Sequence, residues 1–120
     1  MRTLSLLLIA ASYAFAADPA VTQSQTLLKA HKYTEAIAVL SKAHTANPKS
    51  AEVTKALAEA HLASADSVMA NAALPPVQKY PGALREYREV LKLDKSNAKA
   101  KANIDQIEAI YKQMGRPIPQ

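Results

Sequence analysis

Two stretches decide the fold: KYTEAIAVLSKAHTANPKSA at residues 32–51 and KYPGALREYREVLKLDKSNA at residues 79–98. Aligned without a gap, they pair Tyr33 with Tyr80, Ala36 with Ala83, Leu40 with Tyr87 and Ala43 with Val90. The pairing continues through Ala46 and Leu93, Asn47 and Asp94, and Ala51 and Ala98. In the first copy Ala36, Ile37, Leu40 and Ala43 fall on one helical stripe, and Asn47-Pro48 stops the helix because proline cannot continue the hydrogen-bond ladder. In the second copy Ala83, Leu84, Tyr87, Val90 and Leu91 form the matching stripe. A helical unit that recurs along a chain cannot hide its apolar stripe alone, so neighbouring units stack.

Outward from these copies the chain reads as five helices. Asp18-Pro19 caps and opens a first helix running to about His31. Thr34 is the expected N-cap of the second, which ends near Ala46. Ser50 caps a long third segment from Ala51 to about Ala73, with Val53, Leu57, Ala60, Ser64 and Val68 facing inward. Pro75-Pro76 ends that segment, and Pro81 is expected to open the fourth helix. The fifth spans Ala98 to Met114 and buries Ile104, Ile107, Ile110 or Tyr111, and Met114. Gly115 sits where a left-handed C-cap belongs. The two prolines of Arg116-Pro117-Ile118-Pro119 exclude helix, leaving an extended tail over residues 115–120. No alternation of apolar and polar residues marks a strand, so the expected class is all-α.

Composition closes off several chemistries. The 120 residues contain no Cys, which removes disulfide frameworks, thiol catalysis and Cys-ligated metals. Two glycines cannot build a phosphate-cradling loop. His31, His44 and His61 are the only imidazoles, and no two stand four apart on a helix, so no metal-binding face is expected. His61 reads as a packing histidine, and Asp66 with Ser64 or Ser67 gives no nucleophile–base arrangement. Neither catalysis nor a cofactor is expected.

The first sixteen residues read as an address. Met1-Arg2 is a positive start, Leu4 to Ala14 an apolar run, and Ala14-Phe15-Ala16 a small-x-small cleavage signature. The run is shorter than the roughly 18–20 residues needed to span a bilayer, which favours a cleaved signal peptide over a short membrane anchor. The expected working chain starts at Ala17 with no transmembrane segment, exported to the periplasm or secreted, with a bacterial envelope the best fit. Export also changes the meaning of the formal charge of +5. Lys and Arg are scattered, with Lys92, Lys95, Lys99 and Lys101 the densest set, and interspersed charge serves solubility. A nucleic-acid partner is not expected.

The second-helix pattern of Tyr33, Ala36, Leu40, Ala43 and Pro48, followed by Leu57-Ala58 in the next helix, resembles the tetratricopeptide repeat family. The second copy keeps Tyr80, Ala83 and Tyr87 but has Val90 for the small residue and Lys95 for the proline. The copies lie 47 residues apart, against about 34 in the family, and an insertion at about residues 67–78 absorbs the excess. The resemblance implies a right-handed solenoid of helical hairpins, about two and a half repeats over residues 17–114, with Tyr33, Ala36, Leu40, Ala43, Pro48, Leu57, Ala58, Tyr80, Ala83, Tyr87 and Val90 as packing positions. It also implies a concave groove. On the third helix the groove positions are Glu52, Lys55, Glu59 and Leu62; on the last they are Lys99, Asn103 and Gln106. Some family members grip a C-terminal carboxylate there, but Val21 and Gln25 do not complete such a clamp.

The expected function is non-enzymatic binding of a protein or peptide of the cell envelope in that groove, with a basic surface for anionic polymers or lipids as the alternative. Alanine at contact positions gives a thin core, which leaves homodimerisation open. Within the insertion, Val68, Met69, Leu74 and Val77 are read either as a further partner surface, since Met adapts to varied partners, or as a local brace on the fourth helix, the preferred reading. Pro117-Ile118-Pro119 is read either as a docking ligand or as a tail folded back over the last helix.

Overall fold

The computed structural model describes residues 17–120; the signal peptide expected at residues 1–16 lies outside the described residues. Five helices follow one another: α1 (Pro19–Lys29), α2 (Tyr33–Ala46), α3 (Ala51–Ala70), α4 (Pro76–Leu93) and α5 (Ala98–Gln113). Among the described residues there is no strand, so the fold is all-α. Each helix packs on the next, and α1 also reaches α3. That is the helical-hairpin stacking of a solenoid.

Three helices begin where a side chain can satisfy free amides. The Asp18 carboxylate accepts from the Ala20 amide at 2.8 Å, the Ser50 hydroxyl from Val53 at 3.3 Å, and the Asn97 carbonyl from Ala100 at 2.9 Å. The other two depart from expectation. Helix α2 starts at Tyr33 behind Lys32, which makes no side-chain cap, so Thr34 lies inside the helix and is not its N-cap. Helix α4 starts at Pro76, not Pro81. Proline suits the first helical position because its missing N–H is orphaned there anyway, and Pro76 is the earlier of the two candidates. Pro81 is carried within the helix at the cost of one ladder hydrogen bond.

Helix α3 ends at Ala70, short of the expected Ala73; the Asn71 side chain accepts from the Ala73 amide at 3.0 Å and turns the chain. The excess between the two copies is therefore mostly helix: the last turn of α3 and the first of α4, joined by residues 71–75. Val68 and Met69 pack against the α4 core as expected, but Val77 does not, being 67% exposed.

Helices α1 and α5 end alike. After α5, Gly115 adopts φ +64, its amide donates to Lys112 and that of Arg116 donates to Tyr111. This is a Schellman closure, and the left-handed residue is the expected glycine. After α1 the same pair of bonds runs from His31 to Leu28 and from Lys32 to Leu27, with His31 at φ +59. A side chain with a Cβ holds a position that favours glycine. The reversal at Gly115 also leaves Met114 past the last buried turn, 47% exposed and not in the core.

Two clusters make up the core. Val21, Leu40, Val53, Ala56, Leu57 and Ala60 lie between α1, α2 and α3. Ala58, Ala65, Ala83, Leu84, Tyr87, Val90, Ala100, Ile104, Ile107 and Tyr111 lie between α3, α4 and α5. Helix α3 serves both, so it is buried on two faces, and small Ala residues at its contacts let its neighbours approach closely. Ser64 and Val68, expected to face inward, are half-buried. Among the packing positions, Tyr33, Ala43 and Tyr80 are half-buried, and Pro48 is exposed in the α2–α3 turn.

Candidate functional site

A cleft of about 370 Å³ opens between the first half of α3 and the α4–α5 turn. Ala58 and Leu93 give it apolar walls; Thr54, Lys55, Glu59, Asp94 and Asn97 give it polar ones. Several of these polar groups are already committed. The Thr54 hydroxyl donates to the Ser50 carbonyl at 2.9 Å, while Asn97 caps α5 and donates to Asp94 at 3.2 Å. Lys55 and Glu59 are both exposed, and neither joins an ion pair among the described residues. Four residues apart, they lie on one face of α3 and present one positive and one negative group at a single opening.

The structure thus brings together two of the seven expected groove residues. Glu52 serves the fold instead, its carboxylate accepting from the Asp18 amide at 3.2 Å and tying α3 to the start of α1. Lys99 is likewise engaged, its Nζ lying 2.6 Å from the Asp66 carboxylate. Leu62 is half-buried against the α3–α4–α5 cluster. Asn103 is half-buried and Gln106 exposed on α5, and neither lines the cleft.

Asp66 also accepts the Tyr87 hydroxyl at 2.7 Å, so one carboxylate joins α3, α4 and α5. Burial, and then the hydrogen bond and negative charge of Asp66, raise the Tyr87 pKa far above its ordinary value, so the phenol stays neutral and donates. Asp66 extends the Lys55, Glu59, Leu62 stripe by one turn, a spacing that marks its face of α3 but not its contact with Lys99 of α5. His61 bonds Glu86 through Nδ1 at 2.5 Å, joining α3 to α4 as a packing histidine would. His44 lies 3.4 Å from the Thr54 hydroxyl, and His31 bonds the Tyr33 hydroxyl at 2.9 Å. The imidazoles are thus spread over three separate contacts. Among the described residues no three acidic or His side chains gather where a metal ion could sit, and no helix is long and apolar enough to cross a membrane.

Residues 27–74, from the last turn of α1 through α2 and α3 to the following turn, match the family model of the tetratricopeptide repeat. Residues 27–74 therefore carry a tetratricopeptide repeat. No curated protein and no solved structure matches it. Tetratricopeptide repeats generally mediate contacts between proteins and typically serve as non-enzymatic scaffolds. Within the matched repeat lie Lys55 and Glu59; the wall supplied by Leu93, Asp94 and Asn97 belongs to the second copy.

Proposed function

We propose that this protein is an exported, non-enzymatic adaptor that holds a peptide segment of an envelope protein in the cleft between α3 and the α4–α5 turn. The observation that carries the reading is the pair Lys55 and Glu59, free of ion pairs among the described residues, beside the apolar walls of Ala58 and Leu93. Opposite charges four residues apart suit a polypeptide carrying both signs, while the apolar walls take up a side chain. A surface for anionic polymers is supported less well. Lys92 is engaged by Glu89 and Lys99 by Asp66, and Arg88 lies 3.8 Å from Glu108. Export rests on the sequence of residues 1–16 and on the cleavage signature at Ala14-Phe15-Ala16. The small α1–α2–α3 core favours a chain completed by its partner, and homodimerisation is the simplest form that completion could take.

The test is a charge swap, Lys55→Glu with Glu59→Lys, in the full chain. Both residues are exposed, so helicity and melting temperature should stay within error. Capture of the envelope partner should fall at least tenfold, with each single reversal intermediate. Unchanged capture by the swapped chain would remove the cleft from the account. Steep loss of binding with added salt, equal in parent and swap, would favour the anionic-polymer reading. N-terminal sequencing of the secreted or periplasmic chain should begin at Ala17; an intact Met1 on a cytoplasmic chain would contradict export.

A further inference from the structure

The Schellman turn at Gly115 sends the following residues back across α4 and α5. Ile118 packs against the α3–α4–α5 core, and the Pro119 carbonyl accepts from Arg88 Nη1 at 2.7 Å. The other guanidinium nitrogen of Arg88 lies 3.8 Å from Glu108 of α5, which holds the donor in place. Prolines on either side of Ile118 fix φ near −65°, so this segment is extended before it docks and loses little freedom on docking. The contact has the parts of a peptide-recognition site: an apolar seat for one aliphatic side chain and a positioned cation for a main-chain carbonyl.

We propose that the α4–α5 seam is a second peptide site, filled in this chain by Pro117-Ile118-Pro119, and that it accepts a partner's extended peptide with an aliphatic residue between prolines. It is separate from the α3 cleft, since Arg88 and Glu108 line no part of that cleft. Ile118 lies only three residues beyond Gly115, so the tail competes at an effective concentration in the millimolar range. A free peptide making the same contacts is therefore excluded until the tail is released. The tail acts as a built-in competitor that sets a threshold for the partner.

The experiment uses the full chain and a fluorescein-labelled synthetic peptide of sequence GRPIPQ. The Ile118→Ser chain, with its tail released, should bind the probe at least tenfold more tightly than the parent. Adding Arg88→Ala should abolish the gain, and a probe with Asp in place of Ile should not bind. Equal binding by parent and Ile118→Ser, or binding indifferent to Arg88, would overturn the proposal. Because loss of Ile118 also removes packing, the parent chain provides an independent readout by NMR. Unlabelled peptide at about ten millimolar, comparable to the tethered concentration, should shift the Ile118 methyl resonance toward its released position. No shift at that concentration would equally overturn the proposal.

Discussion

The two ends of this solenoid share α3 but are held together differently. Between α1, α2 and α3 the core has six buried apolar residues and no aromatic ring. Between α3, α4 and α5 it has ten, including Tyr87 and Tyr111, and polar links cross every helix seam. Asp66 ties α3 to α4 and α5, His61 ties α3 to Glu86 of α4, and Arg88 ties α4 to Glu108 and to the tail. Among the described residues the first end has weaker ties, Glu52 to the Asp18 amide at its exposed edge and the 3.4 Å contact of His44 with Thr54 between α2 and α3. Yet the family match begins in α1 and covers α2 and α3, not α4 and α5. A regular repeat pattern and a well-braced core are therefore separate properties. The irregular half, with its helical extension and folded tail, anchors the regular one.

The largest effects should come from truncating the centre of each cluster. Leu40→Ala and Leu84→Ala each remove a fully buried side chain and should cost about 2–5 kcal/mol. Their consequences should differ. Hydrogen exchange in Leu40→Ala should show α1 and α2 opening while α4 and α5 keep protection, because a repeat array can open from its weaker end. Leu84→Ala should lower protection throughout. Equal, global loss in both variants would erase the distinction between the halves.

Next comes Asp66→Ala, which leaves the Tyr87 hydroxyl without its acceptor and should cost about 1–3 kcal/mol in chemical denaturation. The exposed Lys99 contact adds little to that figure. A change within error would mean that the polar links do not brace the second half.

A smaller change, of opposite sign, should follow from His31→Gly. Relieving the left-handed strain at φ +59 outweighs the extra chain entropy of glycine, for a net gain of about 0.5–1 kcal/mol. Thermal denaturation should register it as a rise of a few degrees. A fall would mean that the His31–Tyr33 hydrogen bond matters more than the backbone.

The smallest effect is confined to high pH. The folded state holds the Tyr87 proton more tightly than the unfolded chain, so the associated stability is present below about pH 10, the unfolded value. It declines as pH rises beyond that, since only the unfolded state releases the proton. Tyr87→Phe should flatten this part of the pH–stability curve; an unchanged slope would assign it to other groups.

The helix count, the Asp18, Ser50 and Asn97 caps and the left-handed Gly115 were legible because each depends on a few adjacent residues. The start of α4 was not. Pro76 and Pro81 both satisfy the local rule for a first helical position, and the packing of Tyr80 against the second cluster lies outside any local window. The site divides the same way. Lys55 and Glu59 follow from repeat register on one helix, whereas the capture of Lys99 by Asp66 depends on how α5 lies against α3. The tail offered two readings in sequence, and the contacts of Ile118 and Pro119 select the folded-back one.

Site-specific photocrosslinking in cells tests the peptide-binding cleft most directly. A photoreactive side chain at position 55 or 59 should give the same protein adduct, while one at the exposed Lys112 of α5 should not, and the adduct at 55 should weaken when Glu59 is reversed to Lys. Equal adducts from all three positions, or none from 55 and 59, would contradict the cleft as the partner's seat.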